Sequence, residues 1–426
     1  MANWPEIRFS ETGARTSAPP ISWLMGLSLS RPNLLSLAAG FTDNDSLPVR
    51  ATQRLIDRQL KSIRQGQEAL QYGATEGATR LRALTVERVK QLDNLRTDSR
   101  VMEADRCLIT NGSQQLLHLV TQALCDSGDI VLVEDPTYFV YLGILQSAGV
   151  RAKGIRMTHN GMDPDALEAC LGRLAEEGQL ARVKMVYMVS YFQNPTGRTT
   201  DLATKRKVLK IIKKYESQAG HRIFLLEDAA YRELGFDGVT PISALSLPGA
   251  RDRVIYAGTY SKPFATGIRA GFGILPKKLY DIVYRLKGNQ DFGTAHLIQH
   301  ILIGALESGI YKDHLLMLQE RYQTKAVIMS KAIKRYFPDS MQWAEASGGL
   351  YIWAETRRGL MTGAESELFK ASLKADVLYV PGSLCYCNDS SRPIPDNGMR
   401  LSFGGAKTSA IREGIKRLGR VLHEIL

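Results

Sequence analysis

Cysteine is scarce in this chain: five in 426 residues, an odd number, spread out except for Cys385 and Cys387. Such usage offers no disulfide framework and fits reduced thiols in a cytoplasmic protein. The C-x-C pair has no second pair or histidine cluster beside it, so no metal site is expected. Acid is short as well, with 43 Asp and Glu against 55 Lys and Arg, a net charge of +12 and a pI near 9.4. The basic excess is spread along the whole chain rather than gathered in a patch. A positive field of that kind also suits anionic cofactors and carboxylate substrates, so no nucleic-acid partner is expected. Long apolar runs are missing. The nearest, residues 21–29, stops at Ser30, Arg31 and Pro32, far short of the ~20 residues that cross a bilayer. The N-terminus has no charged start leading into an apolar core, so it reads as no secretory signal. Internal repeats and low-complexity tracts are absent too. What remains is ordinary globular usage, 44% hydrophobic and 23% charged, in a chain too long for one compact core.

Along that chain, buried-type strands alternate with amphipathic helices, which argues for a mainly parallel sheet covered by helices on both faces. An N-terminal arm with a short apolar helix near 23–29 precedes a helix over 49–67, with apolar residues at helical spacing. Strands are expected at 107–109, 130–134, 183–189 and 223–226. Helices are expected at 81–89, 116–124, 205–215, 277–286, 295–306, 314–336 and 411–426, and later strands near 350–353, 377–381 and 397–403. The 205–215 helix, KRKVLKIIKKY, is read as a sheet-covering helix with its lysines on the solvated face; a nucleic-acid helix is the alternative.

Short polar motifs sit where these strands end. The most informative stretch is 255–274, IYAGTYSKPFATGIRAGFGI. Lys262 lies at its middle, Thr259 and Ser261 just before it, and Arg269 seven residues after. A lysine amine with a lowered pKa forms imines with aldehydes. A guanidinium fork flanked by hydroxyls suits a phosphate. The bland alternative is a surface lysine in a turn. After the 107–109 strand, Gly112, Ser113 and Gln114 open a helix whose N–H groups either bind phosphate or are simply capped by Asn111 or Ser113. Tyr138 in Glu-Asp-Pro-Thr-Tyr either stacks on a planar ring or packs in the core. Asn194 leads an Asn-Pro-Thr-Gly turn. Asp228 is buried at a strand end and needs either a cationic partner or a helix to cap, and Tyr231 follows it. Tyr72 and Gly40 lie in turns, and Arg400 on a late strand can grip a carboxylate or form a surface ion pair.

In this order, Gly-Ser-Gln, Pro-Thr-Tyr, Asn-Pro-Thr-Gly, Asp-x-x-Tyr, Thr-x-Ser-Lys and Asn-x-x-Arg resemble the motif series of fold-type I, class I/II aminotransferases that depend on pyridoxal 5'-phosphate. The closest likeness is to the branch of 2-aminoadipate, kynurenine and aromatic or branched-chain aminotransferases, and it runs from about Leu34 to the C-terminus. The resemblance implies a large cofactor-binding domain over about 51–300. A smaller α+β domain is built from both chain ends, 1–50 and 301–426. It implies transamination between an L-amino acid and a 2-oxo acid, with Lys262 holding the cofactor as an internal aldimine and moving the α-proton, and Asp228 pairing with the protonated ring nitrogen. Gly112, Ser113, Gln114, Thr259, Ser261 and Arg269 would hold the phosphate, and Tyr138 would stack on the ring. Asn194 and Tyr231 would bind the phenolate oxygen. Gly40, Asn194 and Arg400 would bind the substrate, and Tyr72 would reach the partner's cofactor in a homodimer. Three departures stand out. Thr259 occupies a place where serine is commoner, Ala39 and Phe41 replace the family's second glycine and proline beside Gly40, and Pro263 follows the lysine. A lyase or decarboxylase on the same fold shares most of these motifs. A cofactor-binding transcription regulator would need a helix-turn-helix domain, and about 33 residues precede the resemblance. The donor and acceptor cannot be read from these motifs.

Overall fold

After two helices, Glu11–Arg15 and Pro20–Ser30, the chain forms the short strand β1 (Leu35–Ser36) and three further helices, Val49–Gln59, Ile63–Leu70 and Thr79–Leu92. This computed structural model describes residues 7–38, 40–99, 102–238, 240–357 and 359–426. Residues 1–6 of the expected arm, and Ala39 beside Gly40, lie outside the described residues. The helix expected over 49–67 is two helices. Ser62 breaks it, because its hydroxyl accepts the Gln65 N–H at 3.3 Å and starts a new helix.

An eight-stranded sheet follows: β2 (Cys107–Thr110), β3 (Ile130–Asp135), β4 (Arg151–Thr158), β5 (Gly161–Met162), β6 (Val183–Val189), β7 (Phe224–Asp228), β8 (Val254–Thr259) and β9 (Gly271–Ile274), in the order β2-β9-β8-β7-β6-β3-β4-β5. β4, β3, β6, β7 and β8 run parallel. β9 is antiparallel to both β8 and β2, and β5 turns back on β4. The central strands are nearly continuous apolar runs because both faces are covered. Val131 and Val133 pack with Leu116 and Val120 of helix Gly112–Leu124 and with Val283 of helix Lys277–Asp291. Ile130 and Leu132 face the other core, with Leu171 of helix Pro164–Glu176 and Val208 and Ile212 of helix Leu202–Ala219.

That last helix corrects one expectation. Lys207, Lys210, Lys213 and Lys214 are exposed, but Lys205 is not on the solvated face. It is fully buried, 2.9 Å from the buried Glu227 carboxylate, with its ammonium 4.0 Å from the centre of the Tyr191 ring. A buried ammonium needs such a counter-charge.

Beyond the 27-residue helix Ile310–Tyr336 lie β10 (Met341–Trp343), β11 (Tyr351–Thr356), β12 (Val377–Leu378), β13 (Val380–Pro381) and β14 (Gly398–Ser402). Four of these form an antiparallel sheet in the order β10-β11-β14-β13. β12 pairs in parallel with β1, so the N-terminal segment is stitched to the C-terminal one. This carries Gly40 and Arg400 to the same place. Among the described residues no helix is long and apolar enough to cross a membrane.

Candidate active site

The C-terminal ends of β3, β6, β7 and β8 open into one cleft of about 250 Å³, the edge at which open α/β sheets present ligands. Gly40, Gly112, Ser113, Gln114, Tyr138, Asn194, Asp228, Tyr231, Thr259, Ser261, Lys262, Arg269 and Arg400 all line it. Tyr72 does not: it is 82% exposed, edge-on to Phe292, outside the cleft of its own chain.

Lys262 follows β8, and its Nζ donates to the Gly40 carbonyl at 2.8 Å. Burial, then the positive charges of Arg400 and Arg269, lower its ammonium to about 8. Pro263 does not line the cleft; it borders a small neighbouring space with Tyr256, Tyr260 and Phe272. It sits in a tight turn in which the Phe264 N–H donates to the Tyr260 carbonyl at 3.1 Å.

Asp228 ends β7, 3% exposed. Its carboxylate accepts from the Tyr187 hydroxyl at 2.9 Å and from the Ala230 N–H at 3.0 Å. No ion pair reaches it among the described residues, and burial pushes it up to about 6. Asp228 caps no helix; its carboxylate lines the cleft.

Helix Gly112–Leu124 starts at the cleft; the Gln115 side chain accepts from the Asn111 N–H at 2.8 Å, but the cap residue Asn111 makes no side-chain cap to the N–H groups that follow. Asn111, a candidate cap, instead donates to Asp291 at 2.6 Å. Arg269 has a left-handed backbone, φ +48°, and lies against this helix start. A Cβ on Gly112 would stand 2.9 Å from its Nη2, and one on Gly271 would stand 2.4 Å from the Ser113 nitrogen. Both glycines are needed for that approach. Thr259 braces the same corner, its hydroxyl donating to the Ala270 carbonyl and accepting from the Ser261 N–H, each at 3.1 Å.

Arg400 on β14 is 1% exposed. Its Nη1 donates to Asn194 Oδ1 at 2.8 Å and its Nη2 to the Ala38 carbonyl at 2.7 Å, while Nε has no partner. The guanidinium lies 4.4 Å from the centre of the Tyr351 ring. Tyr351 and Tyr231 hydroxyls meet at 3.0 Å, and Asn194 Nδ2 donates to Tyr231 at 3.4 Å. Tyr351 and Tyr187 escaped the sequence reading; both are strand residues whose alternation marks a face but not what that face meets. The apolar cleft residues Ile21, Phe139 and Val140 escaped it as well, because they lie on helices whose apolar residues read as core.

Three features of this wall fit pyridoxal 5'-phosphate: a buried carboxylate without a cation, an uncapped helix start pressed against a guanidinium, and a lysine amine of lowered pKa. They answer its ring nitrogen, phosphate and aldehyde respectively.

Residues 32–418 match the family described as aminotransferase class I and II. The chain is 31% identical over 428 residues to the 2-aminoadipate transaminase of Thermus thermophilus, spanning 100% of this chain and 98% of that one. It is 32% identical over 418 residues to aromatic-amino-acid aminotransferase 1 of Thermococcus litoralis, spanning 98% and 94%. The crystal structure of the Pyrococcus horikoshii kynurenine aminotransferase in complex with PMP superposes with a TM-score of 0.88 at 28% identity, covering 98% of this chain and 97% of that one.

Proposed function

The chain belongs to the aminotransferase class I and II family, a pyridoxal-phosphate-dependent enzyme of fold type I, and on that premise we propose how this cleft carries out transamination. The cofactor, when bound, supplies an aldehyde for the amino group and a ring that takes up the electron pair released at Cα. Arg269 and the N–H groups at Gly112, Ser113 and Gln114 bind its phosphate, with Ser261 and Thr259 shaping the corner. Asp228, ionised, accepts the ring N–H, and Tyr138 covers the ring face. Asn194 and Tyr231 hold the phenolate oxygen.

Arg400 takes the substrate α-carboxylate; its guanidinium lies over the Tyr351 ring, and its Nε is unpartnered. Gly40 offers its backbone to the same end of the substrate. Lys262 Nζ, once free, would accept the α-proton from the amino acid and give it up at a different atom from Cα, so that a 2-oxo acid and not the starting amino acid leaves. The observation that carries this reading is the Lys262 amine, lowered to about 8 between two arginines in a cleft walled by Asp228. Of the walls left over, Ile21, Phe41, Phe139, Val140, Val189 and Ala230 are apolar and Thr266 is polar but uncharged, which favours neutral, apolar or aromatic side chains. Among the similar proteins, one is named for aromatic amino acids and another for 2-aminoadipate.

We also read the protein as a cytoplasmic homodimer in which Tyr72 enters the partner's cleft. Support comes from its exposure beside exposed Phe292, Leu70 and Ile63, and from five free cysteines. The division into an arm at 1–50, a cofactor domain at 51–300 and a small domain at 301–426 is supported by the pairing of β1 with β12. The test is the visible spectrum of the purified protein and its bleaching by a panel of amino acids, with keto-acid analysis. A visible band, absent in Lys262→Ala, and apolar or aromatic donors that bleach it with a matching 2-oxo acid are expected. Ammonia or carbon dioxide as the product would overturn the assignment.

A further inference from the structure

Glu134 is a buried carboxyl group without a cation. It is the penultimate residue of β3, 0% exposed. Its Oε2 accepts from the Val189 N–H at 2.9 Å and from Gln193 Nε2 at 2.8 Å, while Oε1 has no partner. Among the described residues no lysine or arginine forms an ion pair with it. The charged groups that bear on it are Asp228 on β7, which opposes ionisation, and Lys205 from helix Leu202–Ala219, which favours it; burial outweighs both hydrogen bonds and pushes the carboxyl up to about 8.

What Glu134 grips is a crossbar. Gln193 Nε2 also donates to the Pro136 carbonyl at 2.9 Å, and its Oε1 accepts from the Thr196 N–H at 3.0 Å and the Thr196 hydroxyl at 2.5 Å. One side chain therefore ties the end of β3 to the Asn-Pro-Thr-Gly turn. The next residue, Asn194, receives Arg400 at 2.8 Å.

We propose that Glu134 is a positioning residue: its buried carboxyl group locks Gln193, and so fixes the turn that sets Asn194 against Arg400. Its bearing on substrate rests on the role given above to Arg400. A neutral carboxyl group can be replaced by an amide, because the amide oxygen still accepts from Val189 and Gln193. Alanine leaves the Val189 N–H unmet and releases Gln193 from β3's carboxyl group, with only its Pro136 and Met157 contacts left on that side.

The test uses the holoenzyme and the variants E134Q, E134A, R400A and E134A/R400A, with kcat and KM for a reactive amino acid on both sides of pH 8. E134Q should keep KM within about twofold of the parent near neutrality, because the amide oxygen keeps both acceptor roles. E134A should raise KM about tenfold with kcat less affected, about the worth of one hydrogen bond, and should add nothing in the R400A background. Thermal unfolding of the same proteins gives a readout independent of turnover. The folded carboxyl titrates above its ordinary 4.5, so its protonated form contributes most at low pH, and that contribution is lost as pH rises towards 8. E134Q should therefore gain on the parent from about 4.5 to about 8 and level off beyond. Should E134A fail to fold, Gln193→Ala removes the same crossbar and should raise KM likewise. E134Q as damaging as E134A, or an effect additive with R400A, overturns the inference. An unchanged KM in R400A instead overturns the role of Arg400 on which it rests.

Discussion

The sharpest quantity in the cleft is the proton affinity of Lys262. Its ammonium is lowered from 10.5 to about 8, first by burial and then by Arg400 and Arg269. At about pH 7.5 an amine titrating near 8 is about one quarter neutral, against about one thousandth for one at 10.5, a gain of roughly 240-fold in nucleophile. Competitive acylation of the cofactor-free protein, read peptide by peptide by mass spectrometry across pH, measures this directly. The peptide carrying Lys262 should show a reactivity midpoint near 8. Arg400→Leu should raise that midpoint but leave it short of 10.5, because burial is the larger cause and remains. A midpoint at 10.5 in the parent protein, or no movement on removing Arg400, would refute the electrostatic account of the nucleophile.

Gly271→Ala would place a Cβ 2.4 Å from the Ser113 nitrogen and 2.5 Å from the Gly112 carbonyl carbon. Backbone cannot yield there, so a loss of about 1–3 kcal/mol in denaturant unfolding is expected, with weaker cofactor retention on dialysis. Gly267→Ala, which meets nothing within 4 Å, should be silent. Asp228→Asn should cut kcat by about a hundredfold or more yet stabilise the cofactor-free protein. The parent carboxyl titrates at about 6 when folded against 3.8 ordinarily, so its contribution is full below 3.8 and is lost as pH rises through 6. Unfolding midpoints across that range check it. Mixing Tyr72→Ala with Lys262→Ala subunits should restore about a quarter of parent activity, since each mixed dimer regains one intact site of two; no recovery would place Tyr72 outside the partner's cleft.

Much of the cleft was legible because its parts are local. A strand end, a proline and a glycine turn are written in consecutive residues. So the helix start at Gly112, the turn at Asn194, the carboxylate at Asp228 and the lysine at Lys262 could each be located at a strand end, while their joint meaning came from the order in which they occur. Strands with exposed or mixed faces were not legible. β4 reads RAKGIRMT, with no clean alternation, and β10 is three residues long. Helix Phe139–Ala148 was hidden because it is apolar nearly all round. Lys205 was misplaced on the solvated face because a helical wheel shows which side a residue is on, not what covers it.

The order of motifs, the alternation of strand and helix, and the identity of most polar groups lining the cleft were written in the chain itself. The tertiary structure alone decided their convergence: Arg400 lies on Asn194 across 206 residues, and Lys262 on Gly40 across 222. It also decided the proton affinities of Lys262, Asp228 and Glu134. Turn and cap chemistry acts over a few bonds and is recorded in neighbouring residues. Desolvation and charge act through space, and depend on which distant segments have closed over the group.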